Sequence, residues 1–256
     1  MSSVFRDGLL KGQHAFLTGG TSGIGLAIST HFAQAGAKVS LVGRNEEKLA
    51  AAVADLQTIG NRAQGFPADV RHYDVLARAL SEARASFGEI DILICAAAGN
   101  FPAPALGMSA NGFKAVVDID VLGTFNTCRA AHEHLRKPGA SIINISAAHA
   151  FRPLRNQAHV CAAKAGVDML TKTLALEWGP LGIRINSVTP GPIEDTEGMR
   201  RLAPDEETRR SYLHRIPLQR FGRKDDIAEL CLFLCTPSAS FIHGAVLVCD
   251  GGESIS

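Results

Sequence analysis

A glycine-rich stretch near the N-terminus is the first feature of the sequence that could do chemistry. Residues 18–25 read TGGTSGIG, after a short apolar run and before an amphipathic stretch. Glycines at such a strand-to-helix turn let the backbone approach a pyrophosphate at the N-terminus of the helix. A tight turn alone would leave the three spaced glycines unexplained, so the sequence predicts a dinucleotide site. The predicted contacts are Gly19, Thr21, Ser22, Gly23, Ile24 and Gly25.

The end of the second predicted strand indicates which dinucleotide binds. Gly43, Arg44 and Asn45 stand there, with no acid that could hold a free ribose 2′-hydroxyl. A guanidinium at this place can pair with a 2′-phosphate instead. Arg44 and Asn45 therefore favour NADP(H) over NAD(H). The alternative is that Arg44 is an ordinary solvated residue at the start of a helix.

The TGxxxGxG spacing resembles the short-chain dehydrogenase/reductase family, and the resemblance continues over nearly the whole chain. Asp69 follows the third predicted strand, where the family's acid caps the adenine ring, and Asp250-Gly251-Gly252 matches the family's closing segment. The family's NNAG motif is altered, because residues 95–99 read CAAAG, which keeps small side chains. The resemblance implies further cofactor contacts by Asp69, Val70, Ala97, Lys164, Pro190, Gly191, Ile193 and Thr196.

The family's catalytic tetrad of Asn, Ser, Tyr and Lys is mostly absent from this chain. Residues 160–164 read VCAAK, so Lys164 fits the lysine while Val160 takes the tyrosine position. Ala147 stands at the serine position and Asp120 at the asparagine position. A tyrosine hydroxyl would protonate the carbonyl oxygen in ordinary ketone reduction. Simple alcohol–ketone interconversion is therefore not expected.

Several local segments resemble one branch of the family, the 2,4-dienoyl-CoA reductases of the peroxisomal type. They are residues 99–101, 117–120, 190–193 and 198–202. This branch also lacks the tyrosine and has Asp at the asparagine position. The resemblance implies NADPH-dependent reduction of a 2,4-dienoyl-CoA to a 3-enoyl-CoA in unsaturated fatty-acid degradation. Two alternatives stay open: a 3-oxoacyl or other carbonyl reductase, and a catalytically silent NADP-binding module.

This reaction gives the surviving residues roles. Hydride at C5 sends negative charge to the thioester oxygen and a proton returns at carbon, which requires an oxyanion stabiliser and a carbon acid. Lys164 is expected to orient the nicotinamide ribose, and Asp120, between apolar flanks, to deliver the proton through water. His149, just beyond the fifth strand, is a second acid candidate because imidazole titrates near working pH. The alternatives are a helix-capping or solvated Asp120 and a solvent-exposed loop His149.

An acyl-CoA substrate brings phosphates and a pantetheine of its own. In the resembling branch the matching positions bind the acyl-CoA through arginines and through a segment that lines the substrate. The residues so implied here are Arg71, Phe101, Ser109, Ala110, Asn111 and Arg201.

The elements that must position these residues alternate strictly between strand and helix. We predict strands over 14–18, 38–42, 64–67, 90–96, 140–146, 183–189 and 245–249, and helices over 23–35, 45–59, 73–87, 109–136, 157–178 and 224–234. Strands that are apolar on both faces indicate a parallel sheet covered on both sides. The expected fold is a single doubly wound Rossmann domain over 1–256, with about seven parallel strands and a substrate lid around 192–217.

Composition excludes several classes of partner. The 256 residues carry 26 Lys+Arg against 25 Asp+Glu, a net charge of +1, which argues against nucleic acid and membrane surfaces. No apolar run reaches the length of a membrane span. Six scattered cysteines without a CxxC pair predict no metal site and favour a reducing compartment.

Two further expectations concern location and assembly. The free thiols, and the lack of an SKL-type address, lead us to expect a cytoplasmic protein. The Ala-rich helix predicted over 157–178 is apolar around most of its girth between 162 and 175, which predicts burial. In the resembling family this helix makes subunit contacts, so a homotetramer is expected.

Overall fold

The computed structural model describes residues 8–60 and 62–256 of the chain. The predicted domain span of 1–256 therefore includes residues 1–7 and 61, which lie outside the described residues.

Seven strands form one parallel sheet in the order β3-β2-β1-β4-β5-β6-β7. The chain runs outwards from β1 to β3 and then returns to place β4 on the other side of β1. The strand order therefore reverses between β1 and β4, which opens a crevice at the carboxyl ends of these strands. The predicted doubly wound fold is confirmed. The strands are β1 (His14–Thr18), β2 (Lys38–Gly43), β3 (Ala63–Pro67), β4 (Ile92–Cys95), β5 (Ser141–Ile145), β6 (Arg184–Pro190) and β7 (Val246–Cys249).

Helices cover both faces of this sheet, each with its own apolar cluster. Buried residues of α1, α2 and α9 pack on one face, and those of α3, α5 and α6 pack on the other. The helices are α1 (Gly23–Gln34), α2 (Glu46–Thr58), α3 (Tyr73–Phe87), α4 (Ala110–Val117), α5 (Gly123–Ala131), α6 (Ala158–Trp178), α7 (Glu197–Leu202), α8 (Glu206–Arg215) and α9 (Lys224–Leu234).

The helical region predicted over 109–136 contains an irregularity that the sequence did not indicate. A π-turn, Asp118–Leu122, joins α4 to α5 without breaking the helix. The hydroxyl of Thr124, in the first turn of α5, donates back to the Asp120 carbonyl of this turn at 2.6 Å. A wide turn needs one extra residue per turn, and hydrophobic periodicity is too coarse to detect that over five residues.

The burial predicted for α6 is only half correct. One side of the helix packs into the core through Val160, Ala163 and Val167, while Met169 and Leu176 are 61% and 83% exposed. An apolar helix can be covered by its own fold or by another subunit, and composition does not separate these cases.

The region predicted as a lid, 192–217, contains two short helices, α7 and α8. Met199, Ala203, Ile216 and Phe221 form a small apolar cluster of their own beside the main core. Across the described ranges, no helix is long and apolar enough to cross a membrane.

Candidate active site

Two connected cavities lie at the carboxyl ends of the strands. The larger, of about 570 Å³, runs from the β1–α1 turn to α6 and is called the cofactor groove here. The smaller, of about 180 Å³, lies between the loop after β5 and helices α7 and α8. Both are lined by Ala147, His149 and Pro190, which therefore mark their junction. The predicted residues that line the groove are Gly19, Thr21, Ser22, Ile24, Gly25, Arg44, Asp69, Val70, Ala97, His149, Lys164, Pro190, Thr196 and Arg201.

The β1–α1 turn leaves no room for side chains. A Cβ on Gly25 would stand 2.1 Å from the Gly19 carbonyl oxygen, and one on Gly19 would meet the Ala96 backbone at 2.5 Å. Gly19 and Gly23 also have φ values of +70° and +54°. The Ser22 side chain makes no capping hydrogen bond to α1, so the first amides of that helix remain available as donors. This turn fits the pyrophosphate of a dinucleotide.

The far end of the groove carries Arg44 and Asp69. The Arg44 side chain is 61% exposed, with Nη1 4.0 Å from Asp69 Oδ2. The Arg71 guanidinium donates to both oxygens of Asp69, at 2.6 Å to Oδ2, and this holds the pKa of Asp69 below its ordinary value. Asp69 is therefore ionised, and Arg44 is the cation in this end of the groove with the most freedom to meet a phosphate.

Asp120 and Lys164 form a buried ion pair at the other end of the groove. Lys164 Nζ lies 3.1 Å from Asp120 Oδ2, and both side chains are almost inaccessible. Asp120 Oδ1 accepts from the Gly99 amide at 2.7 Å, and Lys164 Nζ donates to the Ile145 carbonyl at 3.0 Å. The π-turn supplies Asp120, and the two backbone partners come from the loop after β4, which holds Gly99, and from the last residue of β5, Ile145. The structure thus brings together two residues that the sequence treated separately.

No side-chain hydroxyl stands where the family has its serine and tyrosine. Ala147 and Val160 line the groove at these places. Ser146, which sequence analysis did not include in the site, also lines the groove, and its buried hydroxyl has no partner among the described residues. Its position immediately after β5 was the only signal that could have indicated it.

His149 lies at the junction of the two cavities, on a short 3₁₀ turn, Ala148–Ala150. Both of its ring nitrogens are buried without a hydrogen-bond partner among the described residues. Burial, and then the positive charge of Lys164, lowers the pKa of His149 to about 4. The prediction of an imidazole that titrates near working pH needs correction, because a neutral ring donates a hydrogen bond rather than a proton. The solvent-exposed alternative does not fit these buried nitrogens either.

Several predicted contacts lie outside both cavities. Asn45 caps α2 by accepting from the Lys48 amide, and Ser109 caps α4 by accepting from the Gly112 amide. Arg71 is engaged with Asp69, and the Phe101 ring packs 4.5 Å from the His159 ring. The predicted residues in neither lining are Gly23, Asn45, Arg71, Phe101, Ser109, Ala110, Asn111, Asp120 and Ile193.

Arg201 connects the lid region to the groove. Its guanidinium donates to the Asn100 carbonyl and, at 3.0 Å, to Glu197 Oε1. Thr196 caps α7 by accepting from the Met199 amide at 3.3 Å. Gly191 lines the smaller cavity rather than the groove.

The chain is similar along its length to a family of reductases. The profile of a family described as enoyl-(acyl carrier protein) reductase matches residues 19–254. The peroxisomal 2,4-dienoyl-CoA reductase of Arabidopsis thaliana is 44% identical over 100% of this chain and 89% of its own. A probable 2,4-dienoyl-CoA reductase of Bacillus subtilis is 40% identical over 95% of this chain and 97% of its own.

Solved structures show the same fold. A gluconate 5-dehydrogenase from Burkholderia cenocepacia, in complex with NADP and tartrate, matches with a TM-score of 0.92 and 31% identity over 97% of this chain and 98% of its own. A dehydrogenase/reductase from Sinorhizobium meliloti matches with a TM-score of 0.90 and 34% identity over 96% and 97%.

The relatives contradict the cytoplasmic location predicted from the sequence. The similar dienoyl-CoA reductases of plant, animals and yeast are peroxisomal by name. The prediction was wrong because unpaired cysteines report the redox conditions of a compartment and do not distinguish one organelle from another.

Proposed function

We propose a reaction for this chain from the premise that it belongs to the short-chain dehydrogenase/reductase family. It is an oxidoreductase that acts on CH–CH groups and is similar to 2,4-dienoyl-CoA reductases. The proposed reaction is reduction of a 2,4-dienoyl-CoA by NADPH to a 3-enoyl-CoA, in unsaturated fatty-acid degradation. The observation that carries the proposal is the buried Asp120–Lys164 pair at a site where Ala147 and Val160 replace hydroxyl residues.

Charge that develops on the thioester oxygen needs preorganised donors in a site that excludes water. His149 is neutral and has no hydrogen-bond partner in the part of the chain that the structure describes, so its N–H is free to donate to that oxygen. Lys164 adds a buried positive charge a short distance away. These two residues stabilise the dienolate without a phenol.

The proton that returns to carbon comes from the Asp120–Lys164 pair. The Lys164 ammonium lies 3.1 Å from Asp120 Oδ2 as an ion pair, and the Gly99 amide fixes the carboxylate from its other oxygen. We assign Asp120 and Lys164 together as the proton source, acting on the substrate carbon through a bridging water. When Lys164 gives up its proton it is left neutral beside the Asp120 carboxylate, and a proton taken up from solvent restores the ammonium.

A reduced nicotinamide dinucleotide, when bound, supplies the hydride. The turn at Gly19 and Gly25 accommodates its pyrophosphate, and Arg44 would pair with a 2′-phosphate. The proposed cofactor is therefore NADP(H). We also propose that Arg201, Arg71, Phe101 and Ser109–Asn111 bind the acyl-CoA. Residues 192–217 are proposed to form a lid, and the protein is proposed to assemble as a homotetramer.

The test is to measure NADPH oxidation with a 2,4-dienoyl-CoA and with a 3-oxoacyl-CoA of equal length, and to identify the dienoyl product by NMR. We expect turnover of the dienoyl-CoA alone, with the product double bond at C3. Turnover of the 3-oxoacyl-CoA alone would show a carbonyl reductase, and NADPH binding without turnover of either would show a silent module.

Cofactor choice is tested by comparing the affinities of NADPH and NADH. NADPH should bind more tightly, and Arg44→Ala should reduce the difference by about 1–3 kcal/mol, the range of a hydrogen bond between charged groups. Lys48→Ala, in the first turn of α2, is the control and should leave the difference between the NADPH and NADH affinities unchanged. Equal affinities in the parent protein would exclude this role for Arg44.

A further inference from the structure

The smaller cavity lies where the distal part of an acyl chain must go. The carbon that accepts hydride has to lie near the junction at Ala147, His149 and Pro190, because the cofactor groove ends there. Substrate atoms extend from that carbon in two directions, one towards the thioester and one towards the end of the chain. Arg201 and Asn100 border the groove, where they suit the CoA side. We call the smaller cavity the tail cavity; its apolar wall consists of Pro153, Leu154, Pro192, Met199, Leu202 and Tyr212.

The tail cavity is not purely apolar, because Arg152, Arg215 and Glu253 also line it. Arg152 Nη1 lies 3.0 Å from Glu253 Oε1 and also donates to the Glu253 carbonyl, so these two charges are matched. His149 adds no charge, since burial holds its pKa far below neutrality. Among the charged residues that line the cavity, Arg215 is therefore the one without a matching negative charge.

Arg215 is held in place by a ring contact, and part of its guanidinium has no polar partner among the described residues. Its guanidinium carbon lies 4.3 Å from the centre of the Tyr212 ring. Its Nε is buried and has no hydrogen-bond partner among the described residues. A hydrocarbon tail would displace water from this cation without accepting a hydrogen bond from it, so binding such a tail costs free energy of desolvation. A carboxylate would satisfy the same guanidinium through two parallel hydrogen bonds.

We propose that the tail cavity receives acyl chains that end in a carboxylate. The substrate class is the 2,4-dienoyl-CoA monothioester of a dicarboxylic acid, whose distal carboxylate pairs with Arg215. The inference rests on the proposed function and specifies its substrate. The matched Arg152–Glu253 pair closes one side of the cavity, and the Tyr212 ring orients the guanidinium that recognises the carboxylate.

The experiment compares two series of 2,4-dienoyl-CoA substrates of equal length, one ending in a methyl group and one in a carboxylate. The parent protein should show a higher kcat/KM on the carboxylate series at the length that reaches Arg215. Arg215→Leu should lower kcat/KM on that series by roughly 10–100-fold, the loss expected for one charge-assisted pair, and change the methyl series by less than about twofold. Arg215→Lys should recover part of the loss, because it restores charge without the planar fork.

The matched control is Arg209→Leu, on the same helix α8. Arg209 stacks over the Phe221 ring at 4.9 Å and does not line either cavity. It should leave both substrate series unchanged. An equal loss on both series in Arg215→Leu would show that Arg215 serves the CoA moiety or the fold, and would overturn the proposal. Arg215→Gln repeats the test if the Leu variant does not fold.

A binding measurement separates this inference from the proposed reaction. Calorimetry with saturated acyl-CoA analogues, methyl-ended and carboxylate-ended, requires no turnover. Tighter binding of the carboxylate-ended analogue by the parent than by Arg215→Leu supports the proposal even if neither dienoyl series is reduced. Reduction of the methyl series, with equal binding of both analogues by the parent, overturns the proposal and leaves the reaction intact.

Discussion

At the scale of single residues, the centre of the site is a charge pair rather than a set of separate groups. Asp120 and Lys164 are buried together, and each is the other's nearest opposite charge. Removing one partner of a buried pair leaves an uncompensated charge, which costs far more than the pair itself contributes. Sequence analysis assigned cofactor binding to Lys164 and proton transfer to Asp120, but the structure couples these two roles.

Asp120→Asn should lower kcat by roughly 10²–10⁴, because the amide keeps the shape but removes the acid–base partner of Lys164. Asp120→Ala should in addition destabilise the fold by about 3–5 kcal/mol, since Lys164 is then buried alone. Steady-state kinetics and denaturant unfolding measure the two effects. Asp118→Asn is the control, because Asp118 lies in the same π-turn and pairs with Lys114 near the surface. An Asp120→Asn variant as fast as the parent would limit Asp120 to a structural role.

His149 predicts a specific dependence of stability on pH. Its pKa is about 4 in the folded protein, below the ordinary value of 6.5, because burial disfavours the charged ring. The unfolded chain therefore binds the extra proton first, so this contribution to stability is complete above pH 6.5 and is lost as pH falls towards 4. The loss is at most roughly 3 kcal/mol. As pH falls from 6.5 to 4, the free energy of unfolding of His149→Gln should decrease less than that of the parent in denaturant titrations. An equal decrease in both proteins would contradict the lowered pKa of His149.

The residue identities at the site could be predicted because TGGTSGIG and VCAAK fix their positions along the chain. The environment of each side chain could not be predicted in the same way. His149 was expected to titrate near neutrality, yet its ring is enclosed by groups distant in sequence. Asn45 and Ser109 were assigned to ligands, yet their side chains cap helices. Capping and ligand binding use the same residue types, so type and position alone do not separate them.

At the scale of elements, the β1–α1 turn is the most tightly constrained part of the groove. The backbone of Gly19 lies against Gly25 on one side and against Ala96 on the other, so three elements meet without intervening side chains. This contact brings the N-terminus of α1 close to the ends of β1 and β4. Predicted strand limits agree with the structure within two residues at each end, because alternating βα units leave strong periodic signals. The π-turn and the two short lid helices gave no comparable signal.

Gly25→Ala should weaken both folding and dinucleotide binding. The new methyl group would stand 2.1 Å from the Gly19 carbonyl oxygen, which forces α1 away from the turn. We expect a loss of stability of about 1–3 kcal/mol, as for other overpacked sites, and a weaker affinity for NADPH. Thermal unfolding and fluorescence titration measure these changes. Gly107→Ala is the control, because a Cβ there meets nothing within 4 Å; an equal effect in the control would show that packing at the turn is not the cause.

At the scale of the whole molecule, apolar side chains remain exposed on the helices that carry the site. Leu122 and Phe125 are 41% and 39% exposed, and Met169 and Leu176 of α6 are more exposed still. Leu122 ends the π-turn three residues before Phe125 of α5, and Met169 and Leu176 are seven residues apart on α6, so the latter two lie on one side of that helix. We call these four residues the α5–α6 strip. Exposed apolar strips of this kind are typical of subunit contacts.

If the strip forms the contact of the proposed homotetramer, light scattering and sedimentation should show a tetramer for the parent protein. A Phe125→Glu/Met169→Glu double variant should dissociate into smaller species, since the burial of charge at an apolar contact is unfavourable. Leu106→Glu, a fully exposed residue outside the α5–α6 strip, is the control and should leave the assembly intact. A tetramer that persists in the double variant would exclude the strip as the contact.

The π-turn contains a residue that the active site needs but that the helical fold does not. Because Asp118–Leu122 holds one residue more than a regular helix needs, deletion of Val121 would allow an uninterrupted α-helix from α4 to α5. A regular helix and a wide turn place their residues at different angles about the axis, so the deletion reorients the side chains within the turn while α4 and α5 keep their directions. The Asn126 amide donates to the Val70 carbonyl at 3.0 Å and holds α5 in place, so the change falls on the turn itself and moves the Asp120 carboxylate relative to Lys164. The shortened protein should keep its helical content while losing turnover, which makes the extra residue an insertion that serves chemistry alone.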